Sequence, residues 1–576
     1  MKAKSIINII LVIVFFYLFL IYEPGFRGPD EPIYFAYTAS IVEDGDLNVV
    51  NNIDPHNAYY FPLGKINVSK TYNLPDFHNY GGVILWVPFY VYAKGFYSLV
   101  QKMNLKCLIT YGFDKFVNCA MSFSTVIFGF ITLIFSYFLC KVFFTNKIAL
   151  WSTVALFLAT PFFYYMLFEV ANANIIASMF SILSIWFCSY IINMKKSQWF
   201  WYGLFFSICI IIKTDLWFQF IFILSLFAIL LILKKTSWVN IVYFILGVIP
   251  GLTLKIINDY IKYGTLHMGE SGILNFRDFY FIEQLFSSYR GFFYTSPIFY
   301  ICLSGLILSV AALLRNNTIK NEKKLQELFF IILALYLIIK IFIFSFRYAW
   351  GGGSAGARQL LTEFPVFVLL YARVIQSKRR FFRYIIVIIS VIFIFWNLLV
   401  VSEFMAGLDF KYVTGFPKLS ARIKNLNYLF NTLFCIKDLN FKLKFCLPLL
   451  LVVFWTVFYI VKKLSTESIP PSFWYIRDLN NRKCFKKFIF FAIFLFTTYT
   501  IITTLNIYNN KRNVKRLKAD GFFENAKIIG PAEFEKEENI GSMNEMIEYF
   551  TLKGDIERVN KIKKYKKEIY GENGYI

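Results

Sequence analysis

Two adjacent carboxylates, Asp30 and Glu31, stand in the run Gly28-Pro29-Asp30-Glu31-Pro32, just beyond an apolar segment and ahead of Tyr34 and Asp44-Gly45-Asp46. A carboxylate held where apolar chain meets water can act as general base on an acceptor hydroxyl within hydrogen-bond reach. The same pair could instead cap a helix over residues 33–43, since acidic groups favour helix N-termini.

Cations recur at comparable boundaries. Lys213 and Asp215 are the only charges in the apolar stretch 199–233, which is about two spans long and therefore turns at them. Ionisable groups beside hydrocarbon are costly unless paired, which makes Lys213 either a phosphate ligand or a charged turn snorkelling to headgroups. Arg347 and Arg358 bracket Trp350-Gly351-Gly352-Gly353-Ser354-Ala355-Gly356, where glycines let backbone N–H groups approach an anion and guanidinium groups match phosphate oxygens. Arg290, in Tyr289-Arg290-Gly291, is a secondary phosphate candidate. His78, in Asp76-Phe77-His78-Asn79-Tyr80-Gly81, could contact phosphate, bind a metal or cap a helix. No dense ligand motif links Asp76, His78 and His267, so the sequence specifies no metal, and a divalent ion stays an open alternative. Glu169, with Asn172 and Asn174, is either a further acidic site group or a helix cap.

The elements that must position these residues are helices in lipid. The 576 residues are 58% hydrophobic and 16% charged, against roughly 25% charged in soluble domains. Apolar runs at 5–22, 117–140, 148–167, 173–193, 198–213, 215–233, 238–257, 292–314, 325–345, 359–376, 384–402, 446–461 and 488–505 approach or exceed the length needed to cross about 30 Å of hydrocarbon. The expectation is an all-α polytopic membrane protein with thirteen transmembrane helices, the first an uncleaved span rather than a cleaved signal. The net charge of +25 comes from basic residues clustered in short loops, which orients spans and excludes a nucleic-acid reading. Counting those clusters inside requires that residues 81–100 lie along the outer surface without crossing. The N-terminus is then cytoplasmic, and residues 23–116, 258–291, 346–358 and 403–445 face outward. The expected domains are a membrane domain, 1–505, and a small outer helical tail, 506–576, with a helix–turn–helix over 544–570 hinged at Gly554. The nine cysteines show no paired spacing and suggest neither disulfide nor metal.

Asp30-Glu31-x-x-Tyr34 followed by Gly45-Asp46 resembles the first-loop signature of GT-C glycosyltransferases, in particular protein O-mannosyltransferases and lipid A aminoarabinose transferases. The glycine-rich Arg347–Arg358 segment and Tyr289–Pro297 resemble bacterial members of the same group. The resemblance implies a GT-C fold with thirteen spans, outer juxtamembrane helices and an outer C-terminal domain, in the plasma (inner) membrane. It implies catalytic Asp30 with Glu31, and Tyr34, His78, Arg290, Arg347 and Arg358 around a polyprenyl-phosphate sugar donor, to which Lys213 is added by its own charge at an apolar turn. The acceptor would be a glycan, lipid or protein hydroxyl. A transporter or flippase is the rival expectation, and a non-catalytic assembly or receptor protein on the same fold is a third.

Overall fold

A computed structural model describes residues 13–25, 30–53, 67–76, 78–105, 108, 111–188, 196–265, 279–287, 290–315, 321–346, 356, 358–376, 379–406, 419–434, 438–466, 480–520, 522–523, 526–528, 543–544, 547–548, 551 and 556–570. Arg347, Tyr289, His267, residues 351–355 and the expected hinge at Gly554 lie outside these.

Almost every element is a helix. Among the described residues six helices are long and apolar enough to cross a membrane: Phe113–Phe143, Thr214–Ile232, Trp238–Tyr263, Lys324–Phe344, Arg380–Met405 and Lys487–Ala519. Asn146–Ala159, Ala173–Cys188 and Ile298–Leu314 are shorter apolar helices. Among the long helices, Trp238–Tyr263 exposes Ile245, Leu246 and Ile249, Arg380–Met405 exposes Ile388, Val391 and Ile392, and Lys487–Ala519 exposes Phe490 and Phe494. Water would penalise such faces and hydrocarbon would not, so this is the build of an α-helical membrane protein. The helix Val87–Lys102 is not among those long and apolar enough to cross. The only strand pairing among the described residues is parallel and two residues long, Asn67–Val68 against Lys527–Ile528.

Two apolar runs end differently from their hydropathy. The run 148–167 breaks into Asn146–Ala159 and Phe162–Leu167, because Pro161 has no N–H to continue the ladder. The Asn397 side chain donates to the carbonyls of Leu158 (2.9 Å) and Thr160 (3.1 Å), replacing bonds the break removes. The run 238–257 continues as helix to Tyr263, six residues into the expected outer loop 258–291. The i,i+4 pair Lys255–Asp259, 2.8 Å, neutralises the charges that made this stretch read as loop. Trp238–Tyr263 packs on Lys196–Ile212 through Gly203, Gly247 and Gly251, each against backbone or Ser207 of the other helix with no room for a Cβ. That contact fixes the height at which Lys262 emerges.

The helix Asn480–Ala519 runs unbroken past residue 506 and lays a row of carboxamides along residues 45–47 of the segment after the first apolar run. Asn506 Oδ1 accepts from the Leu47 N–H (3.0 Å), Asn509 donates to the Gly45 carbonyl (3.0 Å), and Asn513 donates to Asp46 Oδ2 (2.8 Å). Gly45 sits at φ 70°, a left-handed turn that glycine adopts without strain.

Candidate functional site

Asp30 is the first residue of the helix Asp30–Ala39, with Glu31 beside it in the first turn, where helix N-termini favour acids. The two carboxylates part company there. Successive side chains on a helix point about 100° apart. Glu31 is sealed at 0% exposure, whereas the Asp30 side chain keeps 16% and is the one open to a ligand. Its Oδ2 takes a hydrogen bond from Arg358 Nη1 at 2.7 Å, and its Oδ1 lies 3.4 Å from His78 Nε2.

Arg358 is aimed by the turn before it. Gly356 has φ 63° and lies so close to the Pro161 ring that a Cβ would collide, and its carbonyl accepts from the Arg358 N–H at 2.9 Å. Arg358 then opens a 3-10 helix, Arg358–Glu363, whose lower end is anchored twice. The Ser178 hydroxyl donates to the Leu361 carbonyl (2.7 Å), and Lys340 pairs with Glu363 at 2.7 Å, both side chains at 0% exposure. Glu169 and Tyr165 lie within electrostatic range of Arg358.

His78 lies on the extended stretch before the 3-10 helix Tyr80–Leu85. Gly81 fits against the Ile211 carbonyl where no Cβ could, Tyr499 O–H donates to the Gly81 carbonyl, and Asn79 donates to Thr214 (2.8 Å). The ring meets Tyr34 edge-on at 5.3 Å, and its Nδ1 lies 3.3 Å from Asp76 Oδ1. Asp76 is 1% exposed and is surrounded by donors: the His78 N–H (2.8 Å), Tyr37 O–H (2.8 Å) and Lys262 Nζ (2.9 Å). Tyr263 O–H holds the Asp76 carbonyl at 2.6 Å.

The electrostatics follow from this alternation of signs. Burial pushes the Asp30 carboxyl up, but Arg358, His78 and Lys213 together outweigh it and hold it well below the usual carboxylate range. Burial likewise opposes the charge on Asp76, and Lys262 and His78 bring it down to about 2. For His78 burial disfavours the cation, yet the two carboxylates raise it to about 10.

Of the residues singled out in the sequence, the structure joins Asp30, Tyr34, His78 and Arg358 directly. Lys213 bonds to the Asn174 carboxamide and lies 3.5 Å from Asp215, acting on Asp30 through its field. Arg290 is buried ahead of the turn Phe292–Thr295. Sequence reasoning weighed Asp76 only as a possible metal-binding neighbour of His78 and passed over Lys262, Tyr37 and Tyr263. The signal for Lys262 was its place with Lys255 and Asp259 at i, i+4 and i+7, a charged helical stripe running off the end of an apolar run. Among the described residues no group of three or more His, Cys, Asp or Glu is placed to hold a metal ion. Compared with known proteins, the chain matches no family model, no curated protein and no solved structure.

Proposed function

We propose that the chain is a GT-C membrane glycosyltransferase of the plasma membrane, with thirteen spans, a cytoplasmic N-terminus, and the loop 23–116 and tail 506–576 on the outer face. It moves a sugar from a polyprenyl-phosphate carrier to a hydroxyl of a glycan, lipid or protein. The observation that carries this reading is the open carboxylate of Asp30, set among Arg358, His78 and Lys213 at the start of an outer-loop helix.

The donor phosphate competes with Asp30 for Arg358 and takes its charge-assisted bonds, with Arg347 from the same loop and Lys213 adding positive charge. Released from Arg358, Asp30 becomes a better base. It accepts the proton of the acceptor hydroxyl as that oxygen attacks the anomeric carbon. The bond from the anomeric carbon to the phosphate oxygen breaks, its electron pair leaves with the phosphate, and the anomeric centre inverts. The cations stabilise charge gathering on the leaving group, usually the largest single contribution in such sites. Tyr34 lines the site beside His78.

A transporter or flippase is the second reading, favoured by the sealed Lys340–Glu363 pair, since ionisable groups inside apolar helices often mark a translocation path. One assay separates the two. Purified protein in proteoliposomes is given a panel of labelled polyprenyl-phosphate sugars with acceptors outside. Release of free polyprenyl phosphate together with a glycosylated acceptor is the expected result. Passage of intact donor across the bilayer with no bond cleaved overturns the transferase in favour of the transporter.

A further inference from the structure

We propose that Asp76, with Asp30 on the other side of the ring, holds His78 as a fixed imidazolium while Lys262 orients Asp76, which makes the ligand of this site an anion of the phosphate-ester class and bars His78 from serving as a metal ligand or a base. The inference deepens the proposed function, on which the identity of the anion as a carrier phosphate rests; the charge of the ring rests on geometry.

A neutral imidazole has one donor and one acceptor nitrogen, whereas an ionised carboxylate only accepts. His78 faces a carboxylate oxygen from each nitrogen, Asp30 Oδ1 from Nε2 at 3.4 Å and Asp76 Oδ1 from Nδ1 at 3.3 Å. A neutral ring would turn a lone pair toward one of them. Both contacts are attractive only when both nitrogens carry protons, and a ring in that state has no lone pair for zinc or any other cation.

The arrangement requires Asp76 to stay ionised although it is 1% exposed. The donors around it account for that: Tyr37 O–H, the His78 backbone N–H and Lys262 Nζ, in addition to the ring itself. Lys262 Nζ also reaches the His78 carbonyl at 3.5 Å. The charged and titratable groups facing the ring are therefore Asp30 and Tyr34 from the first outer-loop helix, Asp76 from its own segment, and Lys262 from Trp238–Tyr263. Arg358 and Lys213 act on it through Asp30. The elevation of His78 to about 10 agrees with the geometry and keeps the ring cationic across the neutral range. Asp76 and Lys262 act on the ligand only through His78 and are positioning residues. They leave His78 and Arg358 as two fixed cations around one open carboxylate, a receptor for an anion that brings its own negative charge.

The chain has three histidines, so ¹⁵N-histidine labelling of the full-length protein in bilayers gives a spectrum simple enough to read, and His78→Gln assigns the ring by its loss. The expected result is a His78 ring protonated on both nitrogens from pH 5 to pH 9. Asp76→Asn lowers its titration by about 1–3 pH units, the usual effect of losing a neighbouring opposite charge. Lys262→Gln leaves the titration in place or raises it, because it removes a competing cation. A merely structural role would disturb the ring in the same direction in both variants. Should Asp76→Asn fail to fold, the titration of the parent protein decides alone. A ring that is singly protonated at pH 7 overturns the inference, as does a zinc-bound tautomer on adding Zn²⁺. Inorganic phosphate and farnesyl phosphate are the anion probes, and each is expected to shift the His78 signals without added metal. A response to inorganic phosphate and none to farnesyl phosphate upholds the anion site and counts against the carrier reading alone; no response to either overturns the ligand class.

Discussion

Asp30 and Asp46 lie on the segment that follows the first apolar run, yet they are held by opposite kinds of neighbour. Asp30 faces cations, Arg358 at 2.7 Å and His78 at 3.4 Å, and remains partly open. Asp46 is 1% exposed and takes its hydrogen bonds from neutral dipoles, the Ser40 hydroxyl at 2.7 Å, the Asn48 N–H at 3.0 Å and the Asn513 carboxamide at 2.8 Å, with the like-charged Asp44 carboxylate close enough to act on it. Their acidities diverge accordingly. Burial dominates at Asp46 and raises it, with the three bonds offsetting only part, whereas the cations hold Asp30 low. A partly open carboxylate kept ionised by cations can share those cations with a ligand, while one locked by amides and a hydroxyl can only hold a loop in shape.

The largest effect that tests this contrast is on rate. Asp30→Asn is expected to lower sugar transfer by about 10²- to 10⁴-fold, the usual loss when a general base is removed. Asp46→Ala is expected to leave the rate of the folded fraction unchanged and to lower stability by about 1–3 kcal/mol through its orphaned donors. Turnover by both variants and their unfolding in detergent check this, and a well-folded Asp46→Ala protein without activity would erase the distinction.

Glu363 supplies the limiting case, a carboxylate paired with a cation and closed to any ligand. Lys340→Met strands that charge and should cost about 3–5 kcal/mol, whereas Lys340→Met with Glu363→Met should recover most of the loss. Chemical unfolding of the single and double variants measures the difference. A double variant no better than the single would show that the pair does more than neutralise itself.

The smallest effect is a slope. Asp30 and Asp76 titrate lower in the fold than the unfolded value of 3.8, so the stability they add is present above that value and drains away as pH falls. Asp46 titrates higher in the fold, so its contribution runs the other way, present at low pH and lost as pH rises through its folded value. Between about pH 5 and 2, Asp76→Asn should therefore flatten the acid loss of stability and Asp46→Asn should steepen it.

The helices were legible because apolar run length reports directly on the hydrocarbon they fit, and helices occupy the runs from 117–140 to 488–505. The break at Pro161 and the extension to Tyr263 were not, since each depends on a side chain elsewhere, Asn397 in one case and the Lys255–Asp259 pair in the other. Asp30, Tyr34, His78 and Arg358 were legible by type and by place beside apolar runs. The Asp76–Lys262 pairing was not, because the two lie 186 positions apart and meet only where the segment before residue 78 rests on the end of Trp238–Tyr263. Gly45-Asp46 was legible as a motif but not as a hinge for the carboxamides of the last long helix.

That clasp also sets a timetable. The bond between the Leu47 N–H and Asn506 joins positions 459 residues apart. At translation speeds of about 5–20 residues per second, the segment around Leu47 is made roughly 20–90 s before the helix that will hold it. Throughout that interval Asp30 and His78 lie on a segment whose final support does not yet exist, so the site comes together after insertion and near the end of synthesis. A nascent chain stalled before residue 506 would carry the charged residues of the site without the support that fixes their loop.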